Sequence, residues 1–436
     1  MRITNQRFAV ICAAAAAAAL LFPGCPPKTA VPPASRDFVS TRDLAPPKDE
    51  IPKIDNVIPK PALGRTRIMG IQVLLFTSKT QAGLDDEMKR IAATGADTVI
   101  VRVFNNKIDN KADRFYPFIT PRTDAGVYFN TDHAPVVSDA LSPMIDAARK
   151  NGLKFWAWMT TRYAVWGDDP RQLRAYDFTR KMIVPAFGRD LFDDRKVADL
   201  VGLYQDLAAY DIDGILFQDD LILKHNEGMG ETAERLFGSP IRPETFYNNP
   251  HLSPDGSKYY AESYTDRFRE WSRFKAARLS AVAGEIIKGS RAVRPDLKFA
   301  VNLYYEALSR PENGLAWFSQ DVDEILKSGV DYVFIMAYHR QMMKEKGFTD
   351  LGAAGKLLTE ITSRAIPAIG DPARVGIKLQ VMDWDTGRPV GPEELRVTAS
   401  YLKQIDSVSL VFVPYVADAP FTEMRGIFRT AMGKEN

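Results

Sequence analysis

Lys298-Phe299-Ala300-Val301-Asn302-Leu303-Tyr304-Tyr305 is a short apolar run rich in β-branched and aromatic side chains. A stretch with helical spacing follows, Phe318–Ser328, then Gly329, and then a second such run, Tyr332-Val333-Phe334-Ile335-Met336-Ala337-Tyr338. Apolar runs of this length, separated by an amphipathic stretch, read as parallel strands buried on both faces and joined by a helix. Glycine at the junction supplies the left-handed residue that closes a helix.

The same unit recurs in both directions. Strands are expected at Ile68–Phe76, Thr98–Phe104, Lys154–Thr161, Gly214–Asp219, Lys298–Tyr305, Tyr332–Tyr338, Val375–Met382 and Ser407–Tyr415. Helices are expected at Leu84–Thr94, Pro143–Asn151, Val197–Tyr210, Glu262–Ser290, Phe318–Ser328, Leu351–Arg364, Pro392–Asp406 and Glu423–Met432, with Gly95 and Gly152 repeating the closing signal. Eight alternations define an α/β fold of the (β/α)8 TIM-barrel type. An open doubly wound sheet normally follows its first strand with a Gly-rich phosphate turn. Here the first strand runs into Phe76-Thr77-Ser78-Lys79 instead. Long insertions, Asn105–Asp139 and Leu221–Tyr260, follow strands two and four, on the face where barrels carry their chemistry.

Composition narrows the function. The 436 residues are 45% apolar, and 57 Lys+Arg stand against 55 Asp+Glu. That suits a folded protein and gives no basic excess for a nucleic-acid partner. The N-terminus carries Arg2 and Arg7, an apolar run Phe8–Phe22, and Pro23-Gly24-Cys25. A basic start, a short greasy middle and small residues mark residues 1–24 as a signal peptide, the run being too short to span a bilayer. Gly24-Cys25 resembles a lipobox, so Cys25 is the expected lipidation site, anchoring the protein to the periplasmic face of the outer membrane. With Cys12 removed, the mature body then has no free thiol. Residues 25–64, with nine prolines, read as an extended tether. The barrel domain occupies residues 65–436.

Polar residues at the C-terminal ends of barrel strands are the candidates for chemistry. The carboxylates Asp219, Asp220, Glu227, Glu306 and Asp383 are the catalytic candidates, because glycoside hydrolysis needs a carboxylic acid for the leaving oxygen and a second carboxylate. Asp219 and Asp220 are adjacent on a strand end and should point to opposite sides. One should face the substrate while the other holds a loop. Asp220→Asn is expected to abolish cleavage with the fold intact. Aromatic rings stack on the C–H faces of sugars, which makes Trp158, Tyr163, Tyr304, Tyr338, Trp384 and Tyr415 candidate substrate contacts. Arg102, Arg162 and His225 are the polar candidates beside them, His225 being the group near the acidic pair that titrates close to neutral pH. The four histidines show no paired metal spacing, and no phosphate-binding loop or serine elbow is present. No metal and no cofactor is expected.

Asp213-Gly214-Ile215-Leu216-Phe217-Gln218-Asp219-Asp220, taken with Phe299–Tyr304 and Leu315-Ala316-Trp317-Phe318-Ser319-Gln320, resembles the C-terminal glycoside-hydrolase domain of the PgaB-type poly-β-1,6-N-acetylglucosamine deacetylases. The resemblance covers about residues 65–430. It implies a barrel that binds and cleaves the partially deacetylated polymer, standing here without the deacetylase half. It matches Asp219 and Asp220 to the paired aspartates and Glu227 to a downstream acidic residue. Gln218 stands where the family has His, and His225 stands near a position often held by Asp. The implied partners are the polysaccharide, a membrane through the lipid, and exopolysaccharide export machinery. The competing expectations are a non-catalytic polysaccharide-binding export lipoprotein using the same cleft, and a hydrolase for another glycan.

Overall fold

The computed structural model describes residues 66–433, apart from 79, 106–124, 167–168, 250, 253–258, 262 and 403–404, and the main chain alone of 38–40, 251–252 and 259–261. The expected signal peptide, Cys25 and most of the tether lie outside the described residues. Within the expected tether, Phe38–Ser40 runs as a short parallel strand beside Tyr259–Ala261. Among the described residues no helix is long and apolar enough to cross a membrane.

Eight parallel strands close into a barrel: β1 Met69–Val73, β2 Thr98–Arg102, β3 Lys154–Met159, β4 Gly214–Phe217, β5 Lys298–Tyr304, β6 Tyr332–Met336, β7 Val375–Gln380 and β8 Ser409–Val413. Each pairs with its neighbours in chain order, and β8 returns to β1 through Leu410–Met69 and Phe412–Ile71. The strands are almost wholly buried, because helices cover the outside and side chains fill the inside. The helices that follow are α1 Gln81–Ala93, α2 Leu141–Lys150, α3 Asp194–Ala208, α4 Asp266–Val293, α5 Val322–Lys327, α6 Leu351–Ile369, α7 Pro392–Ser400 and α8 Phe421–Ala431. The expected barrel is therefore present, each strand starting within two residues of its expected start.

Local chemistry explains the boundaries. Thr80, Asp193, Thr265, Asp321 and Asp350 each cap the helix that follows by accepting a first-turn backbone N–H. Gly95, Gly152 and Gly329 sit at φ between +71° and +86°, the left-handed conformation their positions demand. The long helix α6 runs past its expected end at Arg364, with Pro367 inside its last turn. Short elements on the barrel top were not anticipated: a hairpin Leu173–Asp177 with Met182–Ala186, and the helices Glu306–Ser309, Pro311–Phe318 and His339–Lys346.

Three aspartates tie the N-terminal face. Asp97, Asp213 and Asp331 each precede an even-numbered strand and accept a backbone N–H from the first two residues of the preceding odd-numbered one, at Met69 (3.1 Å), Phe155 (2.7 Å) and Phe299 (2.9 Å). The Ser409 hydroxyl makes the matching bond to the Ile68 N–H where the barrel closes. These groups lie opposite the candidate chemistry and serve stability.

Candidate active site

The C-terminal ends of the strands surround a small pocket lined by Gln72 and Leu74 after β1, Trp158 of β3, Asp219 after β4, Asn302 of β5, Tyr338 after β6, Lys378 and Trp384 of β7 and its loop, and Val413–Pro414. Four expected residues meet here: Asp219, Trp158, Tyr338 and Trp384. The Tyr338 and Trp384 rings meet edge to face at 5.4 Å.

Asp219 is the carboxylate of this pocket. Burial raises its pKa from 3.8 to about 6, Lys378 pulling it down and Asp220 pushing it up. A carboxyl so placed still carries a proton in mildly acidic solution, as a general acid requires. Lys378 faces the same pocket from the middle of β7. Its Nζ donates to Asn302 Oδ1 at 2.9 Å, and Asn302 Nδ2 in turn donates to the Phe217 carbonyl. Burial pushes the Lys378 ammonium down to about 7, against the pull of Asp219.

Asp220 turns the other way. Its buried carboxylate accepts from Thr160 Oγ1 (2.6 Å), Thr161 Oγ1 (2.9 Å), the Thr161 N–H (3.1 Å) and the Tyr163 N–H (2.7 Å). With its oxygens committed to the loop after β3, it is a loop holder, and the expectation that Asp220→Asn acts on catalysis alone is corrected accordingly.

The other expected carboxylates do not join Asp219. Glu227 is buried against Arg162, which ion-pairs with it, and it accepts the Lys224 N–H at 2.8 Å. Burial opposes its charge, yet Arg162 and Lys224 hold its carboxyl below the usual range. Glu306 is buried beside Glu345, whose carboxyl burial and the Glu306 charge push up to about 7. Tyr305 and Gln341 donate to Glu345, and Lys346 approaches Glu306 at 3.4 Å. Asp383 holds its own turn, accepting the N–H groups of Asp385 and Thr386, and pairs with Arg340 at 2.7 Å. It lies in a separate open groove with Glu394, which Arg340 and His339 hold down to about 2.

The remaining candidates divide likewise. His225 is buried with its ring stacked on Phe178 at 5.7 Å. Burial, with Lys275 and Lys224 nearby, drops its pKa well below the ordinary value, so it stays neutral near pH 7 and is not the titrating group expected. Arg162 lies over the Tyr163 ring and donates to the Tyr163 hydroxyl at 2.8 Å. Arg102 is buried over Phe104. The Tyr304 ring stacks on Phe318 at 4.0 Å, and the Tyr415 ring packs between Phe76 and Phe421. These rings are packing residues at the barrel top.

Lys378 and Gln72 escaped the sequence reading because it looked to strand ends, where polar residues are expected. The available signal was a lysine and a glutamine inside strands otherwise buried and apolar, Val375–Gln380 and Met69–Val73. A charge there must face something that answers it. Asn302, inside β5, is buried with them.

A closed parallel barrel with an aromatic-lined pocket that holds a buried carboxyl at its C-terminal mouth is the arrangement of the (β/α)8 glycoside-hydrolase class. The chain belongs to the family described as Hypothetical glycosyl hydrolase family 13, whose model matches residues 77–412. It is 29% identical over 270 residues to the poly-beta-1,6-N-acetyl-D-glucosamine N-deacetylase of Escherichia coli (strain K12), covering 59% of this chain and 37% of that one. The chain thus spans little more than a third of the length of the curated relatives it matches. The PgaB (BpsB) glycoside hydrolase domain from Bordetella bronchiseptica superposes with a TM-score of 0.63 at 18% identity, covering 85% of this chain and 100% of that domain. The β-galactosidase of Marinomonas ef1 aligns at 0.52 and 10% identity, over 84% of this chain and 60% of that one, which is likeness of fold alone. The relationship read from the strand-four and strand-five motifs is therefore correct.

Proposed function

We propose that the protein is an endo-acting glycoside hydrolase of an amino-sugar polymer, poly-β-1,6-N-acetylglucosamine in partly deacetylated form, with Asp219 as its general acid. The observation that carries this reading is the position of Asp219, at the C-terminal end of β4 in a pocket walled by Trp158, Tyr338 and Trp384. The protonated carboxyl gives its proton to the leaving glycosidic oxygen as the C–O bond breaks, water adds to the sugar carbon, and the proton that water releases restores the acid form of Asp219. The aromatic walls orient the sugar and limit water. Export through residues 1–24, lipidation at Cys25 and a tether over residues 25–64 belong to the same reading, as does contact with polymer-export machinery.

One observation favours a second reading. Glu227, Glu306 and Asp383 do not line the Asp219 pocket, and each is engaged elsewhere. A binding protein that guides the polymer needs no second carboxylate. Incubating the full chain and its Asp219→Asn variant with partially deacetylated polymer, and following oligosaccharide release by mass spectrometry, decides between them. Release by the wild type and not the variant establishes the hydrolase. Retained binding without release by either establishes the binding protein.

A further inference from the structure

Lys378 is 1% exposed in the middle of β7. Lysine is seldom buried to that degree without a partner. Its neighbours Ile377 and Leu379 are apolar, and alternation along the strand turns them to one side and Lys378 to the other, into the barrel. Among the described residues that line the Asp219 pocket, Lys378 is the one cation. A chain of hydrogen bonds holds it there. Its Nζ donates to Asn302 Oδ1 at 2.9 Å, Asn302 Nδ2 donates to the Phe217 carbonyl at 3.1 Å, and Gln320 Nε2 donates to the Asn302 carbonyl at 2.8 Å. The Asn302 amide therefore has one orientation, its oxygen toward the cation and its nitrogen toward a carbonyl. That carbonyl belongs to β4, two residues before Asp219. The strand that carries the acid thus also locates the ammonium.

A carboxyl that gives up its proton in a buried pocket becomes an anion with little water to solvate it. Burial disfavours the Asp219 anion most, Lys378 favours it, and Asp220 opposes it. Burial likewise works against the Lys378 ammonium, and Asp219 supports it. Tyr338, whose ring lies 5.9 Å from Lys378 Nζ, stays uncharged, because burial and the Asp219 charge hold its hydroxyl well above the ordinary value. We propose that Lys378 is the positioning residue of this site: fixed by Asn302, its ammonium answers the carboxylate that Asp219 becomes as its proton leaves for the glycosidic oxygen. The Asp219 O–H bond breaks, the proton goes to the leaving oxygen, and Lys378 keeps all three of its own. A fixed cation aimed at charge that develops during the reaction lowers the barrier without rearrangement. The inference rests on the reading of Asp219 as a general acid. It adds the residue that makes a buried carboxyl able to lose its proton.

The test follows oligosaccharide release from partially deacetylated poly-β-1,6-N-acetylglucosamine by the full-length protein across pH 4–9. Lys378→Gln, which keeps a donor for Asn302 and removes the charge, should cut release at low pH about tenfold. It should also move the loss of activity at rising pH upward by about one unit. Lys378→Arg, which keeps the charge, should leave that loss at the wild-type pH. A uniform drop in Lys378→Gln with the pH of the loss unmoved overturns the proposal, because it marks the lysine as packing. A downward move overturns it as well. A second readout needs no cleavage. Asp219→Asn gains stability over its parent as pH rises, and the gain levels off at the folded pKa of Asp219. Paired melts in the wild-type and Lys378→Gln backgrounds should show that levelling at a higher pH without the lysine. An unmoved levelling overturns the proposal. A shifted levelling with no release by the wild type upholds the pairing of Lys378 with Asp219 and removes the hydrolase reading alone. Should Lys378→Gln misfold by circular dichroism, Lys378→Met carries the same comparisons.

Discussion

Asp219 and Asp220 are consecutive in the chain and opposite in use: the first faces the pocket at the barrel mouth, the second is bound by Thr160, Thr161 and Tyr163 of the neighbouring strand end. Successive side chains at a strand end diverge, and the barrel puts open space on one side and a packed loop on the other. Asp219→Asn should therefore keep the fold and lower turnover by about 10²–10⁴-fold, measured as oligosaccharide release. Asp220→Ala should instead destabilise by about 3 kcal/mol, since several buried donors lose their acceptor, measured by denaturant unfolding. A fully active Asp219→Asn protein would remove the mechanism.

Protonation of Asp219 sets the pH response. Its folded pKa of about 6 lies above the unfolded 3.8, so the native state binds the extra proton between these values. That favours the folded protein at low pH, and the advantage is lost as pH rises through about 6. Activity that needs the protonated acid should fall over the same rise. At pH 8 the Asn variant should be more stable than wild type by about 1–3 kcal/mol, and the two should converge near pH 3. Paired melts at the two pH values check the sign.

Glu345 gives an independent pH effect outside the pocket. Burial and the Glu306 charge lift it from 4.5 to about 7. Glu345→Gln should then gain stability over wild type as pH rises from 5 to 8, by about 1–2 kcal/mol. The glutamine keeps an acceptor for the Tyr305 hydroxyl, which donates at 2.7 Å. A variant less stable than wild type at pH 8 would show that the hydrogen bonds outweigh the repulsion.

Arg162 and Glu227 form a buried ion pair, with side chains 1% and 10% exposed. Removing one partner leaves an uncompensated charge, so Arg162→Met should cost about 3–5 kcal/mol. Arg162→Met with Glu227→Leu should recover much of that loss. A double-mutant cycle in denaturant reads the coupling, and additive losses would contradict it.

Gly214 opens β4 against Trp156, where a Cβ would come within 2.4 Å of the indole. The ring is buried inside the barrel between Tyr332 and Phe334. Gly214→Ala should therefore cost about 1–3 kcal/mol through overpacking, seen as a lower melting temperature, and an unchanged one would mean the indole repacks freely.

Much of this architecture was written in local pattern. Parallel strands buried on both faces need continuous apolar runs, and Gly95, Gly152 and Gly329 mark helix ends because few other residues adopt their backbone. The hairpin Leu173–Asp177 with Met182–Ala186 escaped because its outer strand is largely exposed and polar-flanked. The helix Glu306–Ser309 escaped because a single turn leaves no period to detect. In the site, Trp158, Asp219, Tyr338 and Trp384 were legible as polar or aromatic residues at strand ends. Glu227, Glu306 and Asp383 satisfied the same rule and yet bind Arg162, Lys346 and Arg340 instead.

The sequence by itself determined the eight strand–helix units, their order, and the rim on which chemistry would lie, because each depends on side-chain periodicity within one segment. It also carried the motif that relates the chain to its family. Only the tertiary structure decided which aspartate of the pair faces open space, which carboxylates are spent on buried cations, and that Lys378 and Gln72 meet Asp219. Those facts depend on distances between residues as much as 341 positions apart, such as Ile68 and Ser409 where the barrel closes. No local pattern carries such a distance, because closure of the barrel alone brings β1 beside β8.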